Sequence, residues 1–329
     1  MKKAYLYCDP RSLNDATNHY IGILADRLAV VGYCFNTVHK LSEVEHPDLL
    51  LTVTEKYFFL AKIRHPFVKH IYWSQGIGPE EQAGRILSVT YRTIAEFLAV
   101  RTSDLIFMVS YAMKDHFQRK YGYKKDNYIV MPCFNISSPE QFNESKLATP
   151  TFVYAGGISS WQCVDQTLDT YKIVEKTLPS SKLIILSKAQ EEFEKKIKER
   201  CISNYEVKYV QKEKLAEELS KYKYGFLLRE DNPVNNVATP TKMNGYLASH
   251  LIPIFTDAIR DFNNILEVGP YAVKVTCPFT PETVANAILA FEQQNVNTTD
   301  FKATINQIFS SYYNENHYYH IIDEAFSRF

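Results

Sequence analysis

A chain of 329 residues is too long for one typical core and suits two α/β domains, each burying its own sheet. Its 37 basic and 37 acidic residues cancel and the sequence pI is about 7.1, so no global field draws in nucleic acid, and any anion site has to be local. The cysteines at 8, 34, 133, 163, 201 and 277 are scattered without a Cys-x-x-Cys spacing, which excludes a zinc ribbon or a disulfide framework and predicts reduced thiols.

The opening MKKAYLYCDP leaves only five residues between Lys3 and Asp9, too few for a signal-peptide core. No run reaches the roughly 18 apolar residues of a membrane span, so a cytoplasmic protein is expected and the sequons at Asn135, Asn143 and Asn297 are chance matches. The 23 Tyr and 20 Phe allow sugar stacking and also fit a tyrosine-rich core and surface.

Strand-like apolar runs alternate with helical patterns, the mark of parallel βα units whose sheets are covered on both faces. In the first half, strands are predicted at residues 4–8, 48–53, 70–72, 105–109 and 128–131, and helices at 18–31, 90–101 and 112–121. Gly32 is a fitting end for the first helix. The turn after the first strand carries Arg11, Asn14 and Asn18 as polar candidates. The loop 73–82, WSQGIGPEEQ, follows a strand and holds Gly76, Gly78 and Pro79, a turn composition. There Glu80 and Glu81 either cap the next helix through its dipole, or Glu80 and Gln75 face a bound sugar or acceptor hydroxyl.

Lys114, Arg119, Lys120, Lys124 and Lys125 are interleaved with Phe117, Tyr121 and Tyr123, either as a solvated helix face or as a contact with an anionic membrane. Periodicity fails over 133–151, a polar stretch with two prolines that reads as a linker. Beyond it, strands are predicted at 151–155, 182–186, 207–210, 224–228, 252–255 and 272–275, with helices at 164–177, 191–201 and 212–222. The tail 301–329 is aromatic and amphipathic.

Two turns of this second half carry the chemistry. Gly156 and Gly157 follow a strand and precede a helix, which allows a diphosphate close to the backbone, and Ser159 and Ser160 add hydroxyl donors. In YGFLLREDNPVNNVATPTKMNGYLASHLIP, residues 224–253, a strand leads through a polar loop to a helix predicted at 242–250, with Thr239 as N-cap and Pro240 at the first helical position. Open N–H groups, the helix dipole, Arg229 and Lys242 then converge on one point, which suits a phosphate or diphosphate. An ordinary strand-to-helix connection with a solvated lysine is the plainer alternative.

This loop resembles the nucleotide-sugar loop of the GT-B glycosyltransferases, in particular the retaining family 4 type, with its Asn-x-Val-Ala-Ser-Pro-x-Lys-x-x-Glu-Tyr-Leu-Ala pattern before a Pro-Val-Ile strand. The matching residues are Asn235, Val237, Ala238, Thr239, Pro240, Lys242, Tyr246, Leu247 and Ala248, then Ile252, Pro253 and Ile254. Residues 103–135 are similar to the family's Asp-x-Ile-x-x-Val-Ser-x-x-Met-Lys block, and FVYAGGISSWQ at 152–162 to its Tyr-Ala-Gly-Gly opening.

The resemblance implies an α/β GT-B fold: two Rossmann-like domains facing across a cleft, 1–148 for the acceptor and 149–300 for the nucleotide sugar, with 301–329 crossing back to the first. It further implies a metal-independent, retaining transferase of bacterial surface polysaccharide assembly, without cofactor. Its donor would be a nucleoside diphosphate sugar of UDP or GDP type, and its acceptor a glycan or lipid-linked oligosaccharide. Catalysis would fall to Arg229, Lys242, Glu80 and Gln75. Gly156, Gly157, Ser159, Ser160, Lys188, Asn235, Asn236, Thr239 and Tyr246 would hold the donor, and Arg11, Asn14 and Asn18 would line the acceptor side. No Asp-x-Asp metal motif is present.

The chain also departs from that pattern. Val237 and Gly245 stand where many family 4 enzymes have a spaced pair of glutamates, and the usual first-domain active-site histidine is not evident. A degenerate, non-catalytic binder of a glycan or partner and a sugar-nucleotide epimerase of the same architecture are the competing expectations.

Overall fold

A computed structural model describes residues 2–13, 15–82 and 86–329, with 15 and 16 as backbone only. Asn14, a predicted acceptor-side residue, lies outside the described residues. The chain forms two compact units, each built on a six-stranded sheet whose strand pairs are all parallel. The first unit comprises Met1–Asn135, Asn236–Thr239 and Asn314–Phe329, and the second Ile136–Asn235 and Pro240–Tyr313.

The first sheet contains β1 (Lys2–Tyr7), β2 (Tyr33–Val38), β3 (Leu49–Thr52), β4 (Lys69–Ser74), β5 (Leu105–Met108) and β6 (Tyr128–Val130), in spatial order β2-β1-β3-β4-β5-β6. In β3 (LLLT) and β5 (LIFM) every residue is buried, as expected of parallel strands covered on both faces. Order reverses between β1 and β3, with Ala4 facing Leu49.

The second sheet contains β7 (Thr151–Ala155), β8 (Lys182–Leu186), β9 (Tyr205–Lys208), β10 (Tyr224–Leu227), β11 (Ile252–Thr256) and β12 (Val273–Val275), in order β12-β11-β10-β7-β8-β9. This is the doubly wound nucleotide-binding order, and its switch point lies between β7 and β10, where Phe152 faces Tyr224. Stacked rings of Phe152 and Tyr224, 4.8 Å apart, fill the core beneath it.

The segment read as a linker is held on the second unit from Ile136 onward. Ile136 and Asn244 exchange two hydrogen bonds (3.0 and 2.9 Å), the Glu140 N–H donates to Ala248 O, and Lys146 Nζ donates to Ser249 O at 2.6 Å. These bonds fasten its backbone and Lys146 to the Thr241–Ala248 helix and the residue after it, while polar side chains such as Ser137, Gln141 and Asn143 are exposed. The tail divides: Thr298–Ser310 is a helix of the second unit, and Glu315–Phe326 one of the first. Among the described residues no helix is long and apolar enough to cross a membrane.

Candidate functional site

At the switch point of the second sheet, Gly156 directly follows β7, and Leu228 and Arg229 follow β10. Ligands of doubly wound sheets bind outside the carboxyl ends of strands at this position. Gly156 has a φ of +149°, and a Cβ there would lie 2.5 Å from both Cε and Nζ of Lys242. The glycine thus gives the lysine its bed. Lys242 Nζ lies 4.2 Å from the Tyr154 ring centroid and donates to Gln162 Oε1, while the single proton of the Tyr154 hydroxyl is shared between the same oxygen, at 2.7 Å, and Gly157 O, at 2.6 Å.

Arg229 is buried, and its backbone is locked by Thr256, whose hydroxyl accepts the Arg229 N–H at 3.2 Å and donates to Arg229 O at 2.6 Å. Its guanidinium donates to Leu228 O at 2.8 Å. Neither Arg229 nor Lys242 has a carboxylate within ion-pair distance among the described residues; Glu230, beside Arg229, accepts from Gln166 at 2.7 Å. Burial lowers the pKa of Arg229, and burial together with the charge of Arg229 lowers that of Lys242 well below the ordinary lysine value. Two desolvated cations without a counter-ion are unfavourable on their own and become favourable when an anion arrives.

Beside them begins the Thr241–Ala248 helix, with Pro240 at its N-cap, no side-chain cap and no acid in the first turn. The Met243 N–H is taken by Pro240 O at 3.1 Å, and the Thr241 and Lys242 N–H groups and the dipole are open to an anion. The predicted cap is corrected here. Thr239 belongs to the first unit, where its buried hydroxyl donates to Val109 O at 3.1 Å and accepts from the Cys133 N–H at 3.0 Å, leaving Pro240 at the cap rather than at the first helical position.

Tyr246, predicted to touch the donor, is buried. Its hydroxyl accepts from the Ala155 N–H (3.1 Å) and donates to Phe226 O (3.2 Å), tying β7 to β10, and its ring packs where a Cβ on Gly225 would be. Asn235 is buried and bonded within its loop: Nδ2 donates to Glu230 O at 2.9 Å and its N–H donates to Asn232 Oδ1 at 2.9 Å. It shapes the loop. Asn236 is buried as part of the first unit. Ser159 is half-buried and Ser160 exposed in the turn after Gly157, and exposed Lys188 lies 5.5 Å from the Tyr209 ring centroid. Tyr154, Gln162 and Thr256 had no predicted role, although the first two lie inside the motif at 152–162.

In the first unit, Gln75 accepts from the Thr17 hydroxyl at 3.1 Å. Glu80 Oε1 meets Lys120 Nζ at 2.8 Å and His116 Nε2 at 3.2 Å, and Lys120 also pairs with buried Glu96 at 3.0 Å. Burial pushes the Glu80 carboxyl up, but the bonds from His116 and Lys120 outweigh it and hold the group at about 2. So weak a base is unsuited to accepting a proton near neutral pH, which makes Glu80 a structural tie in this network. Arg11 is exposed and bidentate on Asp9, and Asn18 is exposed. The aromatic part of the basic cluster is also corrected: Phe117 and Tyr123 are buried, the Tyr121 hydroxyl donates to Glu96 at 2.6 Å, and Lys114 lies over the Tyr128 ring. The helix Tyr111–Tyr121 turns Phe117 inward together with Ala112 and Met113, its other buried positions.

Two parallel six-stranded α/β units define the GT-B fold. Solved structures similar to the whole chain include Anabaena Alr3699/HepE in complex with UDP-glucose, at 13% identity and a TM-score of 0.72 over 99% of this chain and 100% of that one. An E. coli trehalose-6-phosphate structure bound with UDP-2-fluoro glucose is similar at 8% identity and a TM-score of 0.71, covering 99% of each chain. A glycosyltransferase from Rickettsia africae is similar at 12% identity and a TM-score of 0.65, covering 98% of each. The chain spans only 57% of its counterpart in the GtfA/B complex and 54% of S. aureus TarM. No protein-family profile matches, and no curated protein does.

Proposed function

We propose that the protein is a glycosyltransferase that moves a sugar from a nucleoside diphosphate sugar to a hydroxyl of a glycan or lipid-linked acceptor. The observation that carries this reading is the pair of buried cations, Arg229 and Lys242, without a carboxylate partner among the described residues, at a sheet switch point and beside an uncapped helix N-terminus. A departing diphosphate needs its growing charge neutralised, and this constellation supplies two cations and a dipole already in position. In this reading the transfer proceeds with retention and without a divalent metal, as in the family 4 resemblance. The UDP-sugars bound by the similar Anabaena and E. coli structures make uridine the first base to try. A cytoplasmic place in bacterial surface polysaccharide assembly is part of the same proposal.

A second reading is favoured by Val237 and Gly245 at the positions of the two family glutamates: a non-catalytic binder of a glycan or partner. Thermal stabilisation by UDP, GDP, dTDP, CMP and their sugar conjugates tests the site. One diphosphate should stabilise the protein, and Lys242→Ala should abolish that shift while leaving the ligand-free melting point unchanged or raised, because a desolvated cation is removed. In a donor-dependent assay Lys242→Ala should lose about 10²-fold or more in turnover. Turnover within about threefold of the parent would falsify the role given to Lys242. Nucleotide stabilisation with no transfer product would favour the binder.

A further inference from the structure

The helix Ile86–Thr102 in the first unit carries its only acid, Glu96, on the buried side, with Ala95, Ala99 and Val100. Its outer side is apolar: Leu87 is 88% exposed, Ile94 53%, Phe97 42% and Tyr91 40%. Steps of four, three and three residues from Leu87 to Phe97 put these side chains on one helical face. Leaving such a stripe in water is unfavourable, and a contiguous exposed apolar face marks an interaction surface.

The C-terminal end of this stripe has a cationic border. Exposed Arg101 donates to Gly122 O at 2.9 Å, and Lys125 Nζ donates to Arg101 O at 2.7 Å, so the turn bearing exposed Arg119, Lys124 and Lys125 is fastened to the helix. Phe97 and Tyr121, with ring centroids 5.8 Å apart, join the two elements again. The exposed acids of this neighbourhood are Asp104, Asp115 and Asp126, against the four exposed cations Arg101, Arg119, Lys124 and Lys125.

We infer that the Ile86–Thr102 helix lies on an anionic lipid surface, with Leu87, Tyr91, Ile94 and Phe97 entering the headgroup boundary and Arg101, Arg119, Lys124 and Lys125 meeting lipid phosphates. An interfacial helix combines those two features, an apolar face for the acyl boundary and cations for the anionic headgroups. The inference stands on this surface alone and does not require the donor site of the second unit.

Flotation of the full chain with phosphatidylcholine vesicles, with and without phosphatidylglycerol, tests it. The parent should float with the anionic vesicles, less as salt is raised. Leu87→Asp with Ile94→Asp should lower the bound fraction roughly tenfold or more, since burial of two large side chains is lost. Lys124→Glu with Lys125→Glu should weaken binding to anionic vesicles only. Unchanged far-UV circular dichroism and a cooperative melt in all variants show that they fold, and nucleotide-induced thermal stabilisation reports separately on the donor site. Equal flotation of parent and Leu87→Asp/Ile94→Asp overturns the inference. So does a parent that stays unbound but forms a dimer which this double variant dissociates.

Discussion

At the scale of the residue, the site depends on how Lys242 is housed. Its ammonium lies on Gly156, under Tyr154 and against Gln162, with its pKa lowered by burial and by Arg229. A bound diphosphate brings the opposite charge and raises that pKa again, so binding is accompanied by proton uptake. The sign follows: affinity falls as pH rises through the ligand-free pKa of Lys242, because the lysine must then be protonated as the anion binds. Calorimetric titration of the stabilising nucleotide in buffers of different ionisation enthalpy should reveal uptake of a fraction of a proton. Lys242→Met should bind weakly and show little of it, whereas equal uptake by parent and variant would assign the proton to another group.

At the scale of the element, the alternating pattern made the parallel sheets legible, because a fully buried parallel strand such as β8, KLIIL, reads as a short apolar run between turn residues. Edge strand β2 escaped notice, since Asn36 and Thr37 face solvent and break the run. The helix Glu55–Arg64 is hidden for a different reason: residues 57–61 are one continuous apolar run, of which only Phe58 and Ala61 are buried, so no helical period stands out. Arg229 and Gly156 were legible as loop residues at the ends of strands, and Lys242 at the start of a helix, because turn chemistry and charge are local in sequence. The hydrogen-bond partners of Thr239, Tyr246 and Glu80 were not, because Val109, Ala155 and Lys120 are remote from them in sequence. Glu80 gives this a measurable form. Its carboxyl rests at about 2, below the usual 4.5, so the stability it contributes is present above about 4.5 and lost as pH falls toward 2. Glu80→Gln should therefore destabilise the first unit by roughly 1–3 kcal/mol at neutral pH and by less in acid. Buried Trp73 lies in that unit and its fluorescence follows the unfolding. A loss independent of pH would mean that the carboxylate charge is not what matters.

At the scale of the whole molecule, both units contribute to the dependence of stability on pH. Glu80 in the first unit and Glu218 in the second, each held at about 2, act in acid; above neutrality the second unit adds Lys146, on the segment that binds the Thr241–Ala248 helix. Lys146 is only 5% exposed, and burial pushes its ammonium down to about 7. Nearby His250 is pushed to about 4 by burial, then by Lys146 and Lys302, and so stays neutral while stacked on Phe142 at 4.8 Å. Between about 7 and the ordinary 10.5 the unfolded chain holds a proton on residue 146 that the folded chain has released, so stability rises with pH across that window. Below it both states are protonated and the full burial penalty remains. Lys146→Met keeps the apolar stem and removes the charge, at the loss of one hydrogen bond to Ser249 O worth about 1 kcal/mol. The variant should gain roughly 1–3 kcal/mol near pH 7 in urea unfolding and lose much of the parent's rise in stability from there to about pH 10. Lys242 slopes the same way but is present in both proteins, so the difference between the two curves isolates Lys146; identical slopes would mean that its ammonium titrates at the ordinary lysine value despite its burial.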